Sequence, residues 1–208
     1  VIAQFFGAGN TCKMKRAIHN SIALTLVMGV VLTIVGLLFN DPILKAIGVP
    51  SEVFSEASTY LSIYFWSLIF VMVYNMGSGI LRSVGDSKRP LYFLIFSSVV
   101  NIILDFLFVK YFHFGVAGAG YATLIAQAIS AIMVMYVLMK TEDDYKVVLK
   151  EIGFDKEILL KIIKIGLPTG FQQSIVSLSN VIVQSYINVY GASVIAGYSV
   201  TIKIDGFV

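Results

Sequence analysis

Five long runs of apolar residues recur along the chain, and Asp105 is the only Asp, Glu, Lys or Arg inside them. The runs are Ala17–Phe39, Ala57–Leu81, Leu91–Val109, Gly115–Met139 and Ile165–Ala192. A helix needs about 20 such residues to cross the hydrocarbon core of a bilayer. Only helices and closed barrels satisfy their backbone hydrogen bonds in lipid, and these runs lack the two-residue alternation of barrel strands. The sequence therefore predicts an all-α fold, a polytopic membrane helix bundle.

The composition excludes other classes of protein. Of the 208 residues, 58% are hydrophobic and 13% are charged, whereas a soluble domain carries about 25% charged residues. A disordered chain or a soluble globular domain is therefore not expected. The single cysteine excludes a disulfide framework and a multi-cysteine zinc site, and a net charge of +3 does not indicate a nucleic-acid partner. Because the chain begins with Val1, we expect it to be a piece of a longer protein.

Basic residues are distributed unequally between the two sets of connectors. Twelve Lys and Arg residues lie in one set of alternating connectors, which comprises residues 10–16, 82–90 and 140–164. Residues 40–56 and 110–114 contain two. Because positively charged loops stay in the cytoplasm, this bias orients the bundle. It predicts a multi-pass protein of the cytoplasmic membrane, in contact with the lipid bilayer.

The longest and most charged connector divides the chain. We predict a cytoplasmic linker over 140–164, which separates two halves over 1–139 and 165–208. The segment Asp155–Lys164 has its isoleucine and leucine residues on one face, which favours a short helix in the membrane interface. A solvated linker is the alternative. Pro168 should bend or restart the helix that follows.

A carboxylate near the end of the third run is the main candidate for function. Ser97, Asn101 and Asp105 are spaced by four residues, which places them on one helix face. Acidic residues inside membrane spans are costly and usually functional. A carboxylate and an amide suit a hard cation such as Na⁺, or a proton on the carboxylate. The alternative is that Asp105 lies at the outer interface and is simply solvated.

Three other runs carry rows of polar side chains. Two short rows lie in the second and fourth runs, and ordinary interhelical hydrogen bonding explains them equally well. The row in the last run is longer, and we expect it to line a water-filled cavity, with a helix interface as the alternative. The members of the three rows are Ser67, Tyr74, Asn75 and Ser78; Thr123, Gln127 and Ser130; and Thr169, Gln173, Ser177, Asn180, Gln184 and Asn188.

The sequence contains no pattern typical of an enzyme. His19 and His113 have no metal-ligand partner at a useful spacing. The segment Gly85–Lys88 lacks the phosphate-binding loop pattern, and no nucleophile and base are arranged together. We therefore expect neither catalysis nor a cofactor.

Several strings together resemble the multidrug and toxin extrusion (MATE) family of transporters. They are QFFGAGN at 4–10, LRSVGDSKRP at 81–90, NIILDFLF at 101–108, GVAGAGYAT at 115–123 and GLP at 166–168. The resemblance implies about half of a twelve-helix protein with two lobes, from the end of helix 2 to the start of helix 8. On this pattern 1–139 is a partial amino-terminal lobe, 140–164 links the lobes and 165–208 begins the carboxy-terminal lobe. It implies an antiporter that exports small organic compounds, often cationic, in exchange for Na⁺ or H⁺.

The resemblance also implies roles for particular residues. A coupling site in the first lobe would comprise Asn75, Asn101, Asp105 and Thr123, with Asp105 and Asn101 as possible Na⁺ ligands. Substrate would leave through a cavity lined in part by the last run, at Gln173, Ser177, Asn180 and Gln184. That run has no acidic residue, and Val176 stands near the position where NorM-like members carry one. The resemblance is therefore more to the DinF-like branch, or to another bacterial group, than to the NorM-like branch. The full-length protein is expected to be a monomer.

Two other functions compete with efflux. A flippase for lipid-linked oligosaccharide or another lipid precursor would need basic residues for a pyrophosphate, and the five runs contain no Lys or Arg. A non-transporting scaffold would leave the cost of Asp105 and Asn101 unexplained.

Overall fold

The computed structural model describes residues 1–46 and 49–188, and helices account for most of them. The α-helices are α1 (Ile2–Gly7), α2 (Thr11–Leu38), α3 (Asn40–Ala46), α4 (Ser51–Ser83), α5 (Lys88–Phe106), α6 (Gly115–Lys140) and α7 (Lys156–Asn188). A π-helical segment, Leu107–Tyr111, continues α5, and Leu149–Glu151 form a short 3₁₀ turn. The described ranges contain no strand, so the predicted all-α class is confirmed.

The ends of the helices follow from local chemistry. Gly9 adopts φ +66° between α1 and α2, a conformation that glycine tolerates without strain. The side chain of Asn10 then accepts a hydrogen bond from the backbone N–H of Lys13 and caps α2. Between the π-helical segment and α6, His113 and Gly115 both have positive φ. The chain therefore reverses there within a few residues.

Four of the five predicted spans correspond to helices that are long and apolar enough to cross a membrane. These helices are Thr11–Leu38, Ser51–Ser83, Lys88–Tyr111 and Gly115–Lys140. Within the described residues α7 is not one of them, and its glutamines, asparagines and serines lower its hydropathy. The rest of the fifth predicted span, and the partial span expected from Ser193, lie outside the described residues.

The start of α7 differs from the prediction of a separate interfacial helix over Asp155–Lys164. The helix runs without interruption from Lys156 to Asn188 and includes Pro168. Proline removes one backbone donor, so one helical hydrogen bond is lost at this position. The next residue, Thr169, donates its hydroxyl to the carbonyl of Ile165. The helix continues past Pro168 and does not restart.

Glycines set the spacing and register of the membrane helices. A Cβ added to Gly120 of α6 would lie 3.2 Å from Ile63, and one added to Gly77 of α4 would lie 2.8 Å from Val134. Both contacts join α4 and α6 with the same sequence offset, so the two helices run parallel. A Cβ on Gly29 of α2 would likewise lie 3.2 Å from a side-chain atom of α4. The small residues therefore permit close packing, as their clustering predicts.

The fifth helix packs against α6 in the opposite direction. A Cβ added to Gly118 would lie 3.1 Å from Cβ of Phe108, in the π-helical segment. At the other end of α5, the hydroxyl of Tyr74 donates to the carbonyl of Pro90 and joins α5 to α4.

The chain divides into two compact units, 1–159 and 160–208. The first unit contains the four membrane helices and an apolar core at their predicted cytoplasmic ends. This core is formed by Met14, Ile18, Ile22, Ile80, Leu81, Phe93, Val134, Leu138 and Val147. Val147 belongs to the connector after α6, so the connector contributes directly to the core. In the second unit, the described part is the remainder of α7.

Candidate functional site

Two polar side chains on α5 have buried atoms without a hydrogen-bond partner. Oδ1 of Asp105 and Nδ2 of Asn101 are both sheltered from solvent and unpaired. The two residues lie one helical turn apart and are themselves half-buried. Ser97, one further turn away, is buried and donates to the carbonyl of Leu94 within its own helix. Most buried polar groups in proteins have a partner, so this unpaired face calls for an explanation.

The backbone changes its helical form next to Asp105. The α-helix ends at Phe106, and Leu107–Tyr111 form a π-helical segment. Such segments are rare and are frequent at functional sites. An aromatic cluster surrounds the segment, with the Phe108 and Phe112 rings 6.1 Å apart and Nζ of Lys110 4.7 Å from the Phe106 ring centre. The sequence carried no signal for this change of helix type.

Thr123 of α6 lies at the depth of the two α5 residues. Phe108 and Gly118 lie side by side where the two helices meet. Because the helices are antiparallel, five residues before Phe108 on α5 lie level with five residues after Gly118 on α6. Thr123 is therefore level with the stretch between Asn101 and Asp105. Its hydroxyl donates to the carbonyl of Ala119 at 3.0 Å, which leaves the oxygen lone pairs available to a ligand.

Asn75 of α4 is placed differently. The parallel register of α4 and α6 puts it about nine residues further along the bundle than Thr123, or about 13 Å. Its side chain is exposed within the described chain. The structure therefore brings Asn101, Asp105 and Thr123 to one level and leaves Asn75 at another.

The remaining members of the two short polar rows form mostly local bonds. Ser67 donates to the carbonyl of Tyr64, and Ser130 donates within α6. Oγ of Ser78 is buried without a partner. Tyr74, by contrast, bonds to another helix, because its hydroxyl donates to the carbonyl of Pro90 in α5. Most of these hydroxyls therefore donate to backbone carbonyls of their own helices.

The long polar row lies on α7. Gln173, Ser177 and Asn180 are exposed in the described part of the second unit. Gln184 is helical, but its side chain lies outside the description. The predicted role of this row as a cavity lining stays a prediction.

Two buried amides and a buried histidine make hydrogen bonds that the sequence does not predict. Asn20 donates to the carbonyl of Asp155, and Nε2 of His19 accepts from the N–H of Val148. Asn40 donates to Ser58 and Ser62. A polar side chain at the end of an apolar run was the available signal, but the partners are too distant in sequence to infer.

The oxygen atoms near Asp105 suit a hard cation or a proton. Asp105 supplies a carboxylate, and the amide of Asn101 offers a carbonyl oxygen when it is turned end for end. The Thr123 hydroxyl is a third candidate oxygen. Hard cations such as Ca²⁺ and Mg²⁺ take oxygen ligands of these kinds. Among the described residues no group of three or more His, Cys, Asp or Glu could hold a metal ion. The donor set therefore fits Na⁺ or H⁺ better than a transition metal.

Comparisons with known proteins place these observations in a family. The family described as MatE matches residues 1–107. The probable multidrug resistance protein YoeA of Bacillus subtilis is 33% identical over the whole chain, which covers 46% of YoeA. The multidrug export protein MepA of Staphylococcus aureus is 27% identical over 99% of the chain and is covered to 46%. The chain thus spans about half the length of these relatives.

Solved structures give the same picture. A MOP superfamily transporter from Pyrococcus furiosus matches 98% of the chain with a TM-score of 0.87 and 29% identity, over 46% of its own length. The outward-facing conformation of a multidrug resistance MATE transporter matches 99% of the chain with a TM-score of 0.86 and 28% identity, again over 46%. The fold of this chain is therefore similar to about half of such a transporter.

Proposed function

Because this chain belongs to the MATE family of multidrug transporters, we propose that the protein is a secondary active antiporter. It exports small organic compounds, often cationic, in exchange for Na⁺ or H⁺. The chain is part of a multi-pass protein of the cell membrane. Its relatives are transporters, and the flippase alternative is not favoured by the comparisons.

The unpaired carboxylate of Asp105 supports this proposal most directly. Its buried Oδ1 lies one turn from the unpaired Nδ2 of Asn101. Leaving a carboxylate in this setting without a partner is costly, and a bound cation or proton removes that cost. Thr123, at the same depth, completes the proposed coupling site. Asn75 joins it on the resemblance alone.

Neutralising Asp105 would couple the ion to the lobes. A charged carboxylate prefers a wetter environment than a neutral one. Ion binding would therefore change the relative stability of two packings of α5 against α6, and so shift the populations of inward- and outward-facing states. In this mechanism substrate leaves through a cavity that includes Gln173, Ser177, Asn180 and Gln184. The transporter acts as a monomer.

Dye efflux tests the proposal. The full-length protein is produced in cells that lack their own pumps, and efflux of a fluorescent cationic dye is followed for wild type and Asp105→Asn. We expect wild-type efflux and its loss in the variant, because Asn cannot carry the exchangeable charge. Varying Na⁺ at fixed pH, and then pH at fixed Na⁺, identifies the coupling ion.

Asp41→Asn is the matched control. Asp41 is an exposed carboxylate that accepts a hydrogen bond from the hydroxyl of Ser58. It lies near the end of α4 that is predicted to face away from the cytoplasm. Its efflux should equal that of wild type. Normal efflux with unchanged ion dependence in Asp105→Asn would contradict the proposed coupling site. Lack of efflux of several dyes by correctly inserted wild type would contradict multidrug export itself.

The register of the helices gives a second test of the same site. Thr123→Ala should weaken ion dependence more than Asn75→Ala, because Thr123 lies level with Asp105 and Asn75 lies about 13 Å away along the bundle. The measurement is the ion concentration that gives half-maximal efflux. An equal or larger shift for Asn75→Ala would contradict the smaller contribution that its different depth predicts for Asn75.

A further inference from the structure

The connector after α6 is attached to the start of α2 by two buried side chains. The N–H of Val148 donates to Nε2 of His19 at 2.9 Å, and Nδ2 of Asn20 donates to the carbonyl of Asp155 at 2.8 Å. His19 is 4% exposed and Asn20 is fully buried. The side chain of Asp155 in turn accepts from the first N–H groups of α7. The two attachments therefore hold the connector from Val148 to the first turn of α7.

The hydrogen bonds of His19 define its protonation state. Nδ1 lies 2.7 Å from the carbonyl oxygen of Lys15, which can only accept, so Nδ1 carries a hydrogen. Nε2 receives the N–H of Val148 and therefore presents a lone pair. One arrangement satisfies both contacts, namely a neutral imidazole with its hydrogen on Nδ1.

We propose that His19 is a proton-sensitive attachment point, which holds the connector at Val148 when neutral and releases it when protonated. A proton on Nε2 would make it a donor that faces the N–H of Val148, which is also a donor. The 2.9 Å hydrogen bond would therefore be lost. Oε2 of Glu151 lies 3.8 Å from Nε2 and can accept the new N–H. The same proton thus breaks the bond to Val148 and creates an ion pair with Glu151 of the adjoining 3₁₀ turn.

Water can reach the imidazole. His19 lines a cavity of about 410 Å³ between α2 and the connector. The charged and titratable groups that face it are Cys12, Lys15 and Arg16 from α2, and Glu151 and Asp155 from the connector. Lys15 pairs with Asp144 at 3.3 Å and Arg16 with Asp155 at 3.6 Å. These pairs do not involve Nε2, so the connector stays attached at both ends and the release is local to Val148 and the 3₁₀ turn.

Residue-resolved amide hydrogen exchange tests the proposal in the full-length protein in lipid. Exchange at Val148 is followed between about pH 8 and about pH 5, the range over which histidine commonly changes its charge. After correction for the intrinsic rate, we expect exchange about tenfold faster at the acidic end, as for the loss of one hydrogen bond. Val147 is the internal reference, because its N–H donates to Leu138 and not to His19. Equal protection of Val148 across the range would overturn the proposal.

Two substitutions of His19 separate the proton effect from a merely structural one. In His19→Gln the amide oxygen can take the place of Nε2 and accept without ionising, so protection should persist at every pH. In His19→Asn the side chain reaches only the place of Nδ1, so protection should be lost at every pH. His113→Gln changes the exposed second histidine of the chain and should keep the wild-type response. A surviving pH response in His19→Gln would overturn the proposal.

Glu151→Gln provides a test that leaves the buried residues intact. Glu151 is exposed, and its replacement by Gln removes the negative charge that would pair with the protonated imidazole. The midpoint of the Val148 response should therefore move to lower pH. An unchanged midpoint would contradict the proposed transfer of the bond to Glu151. Unchanged exchange in the core of α6 verifies that each variant is folded.

Discussion

Single polar side chains determine much of what is specific to this protein. Asp105 and Asn101 leave buried atoms unpaired on a helix face. By contrast, Asn20 and His19 make bonds to residues 135 and 129 positions away. The first pair supports the proposed coupling site, because its buried atoms have no partner among the described residues. The second pair has the properties of a structural attachment, because Nδ2 of Asn20 and both ring nitrogens of His19 already have partners, although Oδ1 of Asn20 is buried without one.

The hydrogen bond from Asn20 should contribute measurably to stability. Asn20→Leu removes the donor to the carbonyl of Asp155 and leaves that carbonyl without this partner. We expect a loss of about 1–2 kcal/mol in the free energy of unfolding, measured by denaturant titration in micelles. Asn75→Leu, at an exposed position in the described chain, should change it by less than about 0.5 kcal/mol. Equal losses of unfolding free energy in the two variants would show that the hydrogen bond of Asn20 does not contribute to stability.

Hydroxyl groups lower the pKa of Asp143, in the connector after α6. The side chain of Thr141 has the largest effect, its hydroxyl donating to Oδ2 at 2.8 Å, and Tyr145 adds a second hydrogen bond. Both bonds stabilise the charged carboxylate. Thr141→Val should therefore raise the pKa of Asp143 toward its ordinary value, which a carbon-detected NMR titration can follow.

The sign of the pH dependence follows from that lowered pKa. The small stabilisation from this carboxylate is present above its unfolded pKa and is lost as the pH falls through the folded pKa. Thr141→Val should move that loss to higher pH. The hydroxyl of Thr169 donates to a carbonyl within α7, so Thr169→Val should leave the titration of Asp143 unchanged.

Pairs of helices depend on glycines at their closest approach. Gly77 of α4 faces both methyl groups of Val134, while a Cβ on Gly79 would meet nothing within 4 Å. The two glycines lie in the same helix two residues apart, so they share helix propensity and differ in packing. The same Gly→Ala substitution should therefore have opposite effects on stability at the two positions.

Gly77→Ala should destabilise the bundle, and Gly79→Ala should not. A new Cβ only 2.8 Å from Val134 forces a shift of a β-branched side chain, at a cost of about 1–3 kcal/mol. At Gly79 the same change gains about 0.5–1 kcal/mol of helix propensity. Thermal unfolding of the two variants measures the difference. Equal destabilisation would contradict the α4–α6 register described above.

For the whole molecule, the distribution of charge predicts the orientation in the membrane. The connectors with twelve basic residues, including that between α1 and α2, belong on the cytoplasmic side. Cys12 lies in this connector region at the start of α2 and is exposed. It is a natural probe because it is the chain's single cysteine.

A membrane-impermeant maleimide should label Cys12 from the cytoplasmic side only. Inverted vesicles should react and intact cells should not, in a full-length protein that has no other cysteine. The matched variant, Cys12→Ser with His113→Cys, carries its thiol between the π-helical segment and α6 and should show the reverse pattern. Labelling of Cys12 in intact cells would invert the predicted topology.

The sequence by itself determined the membrane class, four helices and the face that carries Asn101 and Asp105. These properties follow from hydrophobicity and from spacing along one helix, both of which are local. Only the tertiary structure decided that Thr123 shares the depth of Asp105 while Asn75 does not, because depth depends on how helices pack. The π-helical segment and continuous α7 also required the folded chain, since local propensity does not distinguish these helical forms.

The attachment of the connector shows the same limit most clearly. His19 and Asn20 lie near the start of an apolar run, which predicts two buried polar groups that need partners. It does not say that the partners are Val148 and the carbonyl of Asp155, because backbone groups carry no sequence signature. Hydrophobicity therefore specified which segments enter the membrane, and long-range hydrogen bonding and close packing decided which polar atoms are satisfied and which stay available for a ligand.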